Sequence, residues 1–123
     1  MFLKIFLAGA GGFIGCIIRY IIGLSVQGSP IGTVIVNLAG CFFIGLISTL
    51  LSMHNSYFDQ FLKPFVITGF MGGLTTFSSY GLDSITLIRN NQTTHAIVYI
   101  FSQLIIGLLL VYIGEIIAKK MMM

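Results

Sequence analysis

Four apolar runs, parted by short polar connectors, take up nearly the whole of this chain and leave almost no material for a water-facing surface. Only 7% of its 123 residues are charged and 57% are hydrophobic, whereas a soluble domain carries roughly 25% charged residues. A membrane-spanning helix needs about 20 apolar residues, so four spans exhaust the length. The expectation is an all-α membrane protein, one transmembrane domain over residues 1–123, with spans at about 2–24, 31–53, 61–82 and 95–117. Pro64 falls in the first turn of the third span, where proline is tolerated. Four short helices make a thin wall for a pore, so the chain is expected to oligomerise.

The charge pattern excludes several functions. Six basic and three acidic residues are scattered, with no basic run for nucleic acid to bind. Cys16 and Cys41 sit within apolar stretches and read as small packing residues, not as a disulfide framework or metal site. The N-terminal run is long, with the small residues of 8–12 in its middle, so it reads as a retained first span and not as a signal peptide. Asp59, Asp83 and Glu115 lie at span ends, as do His54 and His95. A proton-coupled transporter needs a carboxylate at mid-span, and none is expected here. No nucleophile stands with a base, so the chain does not read as an enzyme. Four spans put both termini on one side together with Lys4, Lys63, Lys119 and Lys120, opposite Arg19 and Arg89. The positive-inside rule favours cytoplasmic termini by a small margin only, and so weak a bias is compatible with insertion both ways round.

The third span holds the most informative run, Thr68–Gly81, rich in Gly, Thr and Ser between apolar flanks. Such residues at membrane depth are tolerated where the backbone is buried in protein or lines a polar cavity. Gly72 and Gly73 each lower helix propensity by about 1 kcal/mol relative to Ala, and the hydroxyls of Thr75 and Thr76 can bend a helix. The alternatives are a packing kink or a true break, and a break frees carbonyls suited to a bare cation. Phe77 and Tyr80 follow on one helical face, with Ser78 and Ser79 between them. An aromatic edge turned into a path attracts an anion and a face attracts a cation.

Other spans add polar groups. In the first, Ala8, Gly12 and Cys16 form a small-residue stripe beside Gly11 and Gly15, a helix-packing face. Arg19 is either a snorkelling side chain or the cation of a vestibule that gathers anions. The second span aligns Thr33, Asn37, Cys41, Ile44 and Ser48, and Asn37 needs a partner at that depth. It is either hydrogen-bond glue or a donor to a passing solute. The fourth offers Tyr99, Ser102 and Gln103 on one face. Neutral hydroxyls, amides and aromatics with a cation near the mouth suit a small anion that accepts strong hydrogen bonds.

Three blocks go beyond generic membrane patterning. Gly11-Gly12-Phe13-Ile14-Gly15-Cys16-Ile17-Ile18-Arg19-Tyr20 resembles the GGxxGxxxRY block of the Fluc/CrcB fluoride channel family. The stretch from Gly32-Thr33 through Val36-Asn37 to Gly40-Cys41-Phe42 is similar to its second span, and Gly69-Phe70-Met71-Gly72-Gly73-Leu74-Thr75-Thr76-Phe77-Ser78-Ser79 to its most specific motif. The resemblance implies a fluoride channel of the bacterial cytoplasmic membrane, a dual-topology antiparallel dimer of four-helix subunits set in lipid, with a broken third helix. It implies a structural sodium ion held by backbone carbonyls, here those of Gly72 and Thr75. Asn37 matches the pore asparagine, Phe77 the first ring of a phenylalanine pair, and Ser78, Ser79 and Tyr99 the polar track. Gln103 stands where many members carry serine, and Tyr80 where the second phenylalanine is usual. A homodimer is therefore one expectation. A heterodimer with a paralogous subunit, in which Tyr80 makes one pore non-conducting, is the alternative.

Overall fold

In the computed structural model, which describes residues 1–54 and 56–123, every regular element is helical. Helix α1 is Phe2–Ser25 and α2 is Pro30–His54. A short α3, Asp59–Lys63, runs into a π-helical stretch, Pro64–Met71, and on into α4, Gly72–Leu74. Thr75 and Thr76 are extended, and α5, Phe77–Arg89, and α6, Thr93–Met121, follow. Asn55, in the connector expected between the second and third spans, lies outside the described residues. Helices α1, α2 and α6 are each long and apolar enough to cross a membrane.

Two turns use the same device. After α1, the Gly28 N–H bonds the Gly23 carbonyl at 2.9 Å and the Gln27 N–H bonds that of Leu24 at 3.0 Å. After α5, the Gln92 N–H bonds Leu87 at 2.9 Å and the Asn91 N–H bonds Ile88 at 3.0 Å. These nested bonds satisfy the last helical carbonyls and require a left-handed residue just past the helix. Gln27 at φ 56° and Asn91 at φ 58° supply it. Pro30 then opens α2 at a position where its missing N–H costs nothing.

Helix α1 packs on the stretch from Phe65 to Leu74, and α2 packs on α6. Both seams are lined with glycine, because in lipid close backbone approach supplies the contact energy that water expulsion supplies elsewhere. At Gly11 an added Cβ would lie against the Phe65 carbonyl and 2.8 Å from the Phe70 nitrogen. Those two groups are the i, i+5 pair that a π-helical turn joins. At Gly15 an added Cβ would collide with the Phe70 carbonyl and stand 2.8 Å from the Leu74 nitrogen. On the other seam, Gly45 lies against Val111 and Gly114 against Phe42 and Leu46. The buried apolar side chains are few, and Val36, Met71 and Leu74 form the core where α2 meets the broken segment. Large apolar residues such as Phe6, Phe13, Leu108 and Tyr112 face outward, as lipid-facing side chains do.

Of the glycines and threonines read as weakening the third span, Gly72 and Gly73 are helical and the bend falls at Thr75-Thr76. Gly73 serves close packing, since a Cβ there would meet the Gly12 carbonyl at 2.5 Å, while nothing lies within 4 Å of one on Gly72. Two details differ from the sequence reading. Helix α5 continues to Arg89, beyond the expected end at 82, which moves Asp83 into a helix interior. Cys16, read as a packing residue, is exposed, because the packed stripe runs through Gly11 and Gly15.

Gly15→Ala is expected to destabilise the fold by about 1–3 kcal/mol through overpacking. Gly9→Ala, where nothing lies within 4 Å of the new carbon, is expected to be neutral or to stabilise slightly. The temperature at which each detergent-purified variant loses its monodisperse elution checks the contrast.

Candidate permeation site

The break between α4 and α5 organises the polar residues. The Thr75 N–H and its Oγ1 both donate to the Met71 carbonyl, at 3.0 and 2.9 Å, closing the first helical half. Thr76 opens the second, its Oγ1 accepting from the Ser79 N–H at 3.1 Å as a threonine N-cap does. The same Oγ1 donates to Ser79 Oγ at 3.1 Å, and Ser78 Oγ lies 3.2 Å away. The Thr76 backbone finds its partners on α2. Asn37 Oδ1 accepts its N–H at 2.8 Å, and Asn37 Nδ2 donates to its carbonyl at 3.1 Å. The remaining Asn37 N–H donates to Gln103 Oε1 at 2.9 Å. Asn37 thus ties three elements: α2, the break and α6.

Two cavities flank this knot. One, of about 340 Å³, is lined by Asn37, Cys41, Thr75, Phe77, Tyr80 and Gln103 among others. The second, of about 450 Å³, is lined by Arg19, Thr33, Ser79 and Asp83, and Thr76 borders both. The Arg19 Nη1 rests on the Thr75 carbonyl at 3.5 Å and its Nη2 on Cys16 Sγ at 3.4 Å. The guanidinium is therefore turned along the protein and is not fully extended into lipid.

The aromatic groups form a row. Phe77 and Tyr80 have ring centroids 5.5 Å apart with planes tilted by 34°, and Tyr80 stacks on Tyr99 at 5.7 Å and 20°. Phe77 is 84% exposed, a large ring left outside the single subunit. The Tyr80 hydroxyl donates to the Ile100 carbonyl at 3.2 Å, so the group that distinguishes it from phenylalanine is engaged with α6. Tyr99 is buried, and its hydroxyl donates to Asp83 Oδ2 at 2.9 Å.

Asp83 was missed by the sequence reading, which put it at a span end. It sits inside α5, half-buried, and the same Oδ2 also accepts from Thr33 Oγ1 at 2.7 Å. Its place three residues after Tyr80 put it one helical turn along the face that carries the aromatic row; that spacing was the available signal. Thr76, the hub of the break, was read only as a helix-bending hydroxyl. Of the expected residues, the fold gathers Asn37, Phe77, Tyr80 and Gln103 around one cavity and Arg19 with Ser79 at the other. Tyr99 stands behind Tyr80, Ser78 is exposed, and Gly72 lies on the exposed side of α4.

Hydrogen bonds to a charged acceptor contribute about 1.5–3 kcal/mol. Thr33→Val and Tyr99→Phe are each expected to destabilise by about that amount. Because both donors share one oxygen, the double variant is expected to depart from additivity. Unfolding measurements over the full cycle check this.

Residues 6–115 match the family model described as CrcB-like protein, Camphor Resistance (CrcB). The chain is 41% identical over 117 residues to the fluoride-specific ion channel FluC of Chlorobium phaeobacteroides (strain BS1), covering 92% of this chain and 91% of that one. It is 39% identical over 124 residues to the protein of the same name from Azobacteroides pseudotrichonymphae genomovar. CFP2, covering 97% and 98%. With that of Helicobacter pylori (strain J99 / ATCC 700824) it shares 40% over 120 residues, covering 92% and 91%. These relatives are named as channels, not as enzymes. The family match together with the three long apolar helices places the chain as a multi-pass protein of the bacterial cytoplasmic membrane. Since the family model runs through nearly its whole length and full-length relatives share two residues in five with it, the chain belongs to the CrcB-like family.

Proposed function

We propose that this chain is the subunit of a fluoride channel that lets the anion leave the cell passively and so lowers its internal concentration. The observation that carries the reading is the neutral polar knot at a helix break, joined to an aromatic row and flanked by two cavities. Its path is lined by Asn37, Gln103, Phe77, Tyr80, Ser78, Ser79 and Tyr99, with Arg19 at the wider cavity. Fluoride is the halide that accepts the strongest hydrogen bonds, and uncharged donors can replace its water without holding it fast. The names of the relatives point the same way. An inside-negative potential supplies the direction: about 2.3 kcal/mol per 100 mV favours the exit of one negative charge.

The working unit on this reading has four spans, with the two halves around the break as the third, and is an antiparallel dimer. The exposed ring of Phe77 and the open side of the smaller cavity support a second copy closing the path. The sodium ion of the family fits the residues present. The Thr75 carbonyl is outside any helical ladder. The Thr76 N–H, which would otherwise bond the Gly72 carbonyl, goes to Asn37. Gly72 and Thr75 can therefore offer two neutral oxygens from each copy, and a cation bound there would tie the copies together.

The Tyr80 hydroxyl, held by Ile100, speaks for a conducting route and against the heterodimer in which Tyr80 plugs one pore.

Vesicles holding the purified chain and loaded with fluoride are expected to release it, read by a fluoride electrode, only when a potassium shunt balances the charge. Release that ignores the shunt would indicate coupled exchange, and no release would end the reading for the lone chain. Tyr80→Phe is expected to change the rate less than about threefold, since the hydroxyl it removes is engaged with the Ile100 carbonyl and not with the path. A tenfold rise would restore the plug. A C-terminal tag is expected to be accessible from both faces of the same membrane in comparable amounts.

A further inference from the structure

The polar knot at the break has a counterpart one helical turn away. Asn37 on α2, Thr76 at the start of α5 and Gln103 on α6 share one set of hydrogen bonds. Four residues earlier on α2 stands Thr33, and four residues earlier on α6 stands Tyr99, a spacing that keeps each pair on one helical face. Both of these hydroxyls donate to a single oxygen on α5, Asp83 Oδ2, at 2.7 and 2.9 Å. The Gln103 side chain hydrogen-bonds the Tyr99 hydroxyl, which connects the two levels. The same three helices are therefore tied twice, by an amide at one level and by a carboxylate at the other.

The bonds run in one direction. The Thr76 N–H can only donate and its carbonyl can only accept, which orients Asn37 and leaves its second N–H for Gln103 Oε1. Gln103 then has only its N–H group to offer Tyr99, whose own hydrogen passes on to Asp83. Thr33 arrives at the same oxygen with a hydrogen as well. A run of donors needs an acceptor at its end, and Asp83 Oδ2 is that acceptor. Its charge has no such partner: Arg19 lines the same cavity, yet among the described residues the one ion pair is Glu115 with Lys119. A carboxylate within a membrane helix reads by default as a proton or ion carrier, but the bonds of this one belong to the scaffold. Resting on the channel reading, we infer that Asp83 is a positioning residue: as the acceptor that ends the run, it holds α2, α5 and α6 together at the wider cavity. Positioning requires its oxygen and not its charge.

Two replacements in the full chain, labelled with ¹⁵N in detergent and reconstituted in vesicles, separate these properties. Asp83→Asn keeps an acceptor oxygen and removes the charge, whereas Asp83→Leu, of similar size, removes both. The side-chain amide resonances of Asn37 and Gln103, assigned by their loss in Asn37→Ser and Gln103→Met, are expected to stay in place in Asp83→Asn and to move in Asp83→Leu. Equal movement in both variants, or movement in neither, overturns the inference. If Asp83→Leu does not elute like the parent, Thr33→Val combined with Tyr99→Phe removes both donors and leaves Asp83. The Asn37 resonance is then expected to move, and a fixed one overturns the inference. In vesicles, Asp83→Leu is expected to slow fluoride release about tenfold or more, as misplacing the groups of a site does, and Asp83→Asn to recover most of that loss. An Asn variant as slow as the Leu variant would assign the role to charge or to a carried proton. A parent that releases no fluoride would end the channel reading, while the amide resonances would still decide the role of Asp83.

Discussion

Interrupting a helix at membrane depth strips hydrogen bonds from backbone groups that have no water to turn to, at several kcal/mol for each group left bare. The amide of Asn37 answers that cost at Thr76, giving an acceptor to its N–H and a donor to its carbonyl as a neighbouring strand would. Few side chains can do both at once: an aspartate lacks the donor and a serine the reach. Everything that the break makes possible depends on this clasp. It lets Thr76 stay extended, so that its hydroxyl can cap α5. It also sets the direction in which α5 leaves, and with it the places of Phe77, Tyr80 and Asp83.

The glycine seams give the clasp a rigid frame. Helix α1 can lie directly on the backbone of the π-helical stretch because Gly11 and Gly15 present no side chain to it. That contact fixes the height of Leu74 and hence of Thr75, whose carbonyl lies within reach of Arg19 on the same helix α1. Across the molecule, α2 and α6 are held by Gly45 and Gly114 in the same manner. Asn37 and Gln103 stand on these two closely packed helices, which their 2.9 Å hydrogen bond joins.

Much of this was legible in the residues. The length and apolarity of the runs reported membrane helices, and Gly, Thr and Ser between Thr68 and Gly81 marked the irregular backbone. The position of the break was less accessible. Propensity weakened the helix at Gly72-Gly73 as well as at the threonines, yet both glycines stayed helical, Gly73 packing on Gly12, and the interruption fell where Asn37 could reach it. The π-helical stretch was invisible for a related reason: widening a turn is decided by the neighbour lying on it, here Gly11, and not by local preference. Asp83 was misplaced because the extent of α5 was judged from apolarity, while its continuation depends on hydrogen bonds from Thr33 and Tyr99. The link from Asn37 to Gln103 could not be read at all, since it rests on which atoms of Asn37 face Thr76.

The two charges near the break then acquire a common logic. Arg19 alone at the wider cavity would concentrate anions there, and in a low-dielectric setting it would also hold them. Asp83 alone would repel them. Both line the same cavity, so their long-range fields oppose one another, and an arriving anion meets a modest attraction in place of a deep well. Asp83 is further quieted by two hydroxyl donors on one oxygen, which removes those hydroxyls from competition for the anion. Conduction needs binding favourable enough to admit an ion and weak enough to release it. On the proposed channel function, a balanced pair of charges at the larger cavity and neutral polar groups at the smaller one would meet both demands with residues drawn from α1, α2, α5 and α6.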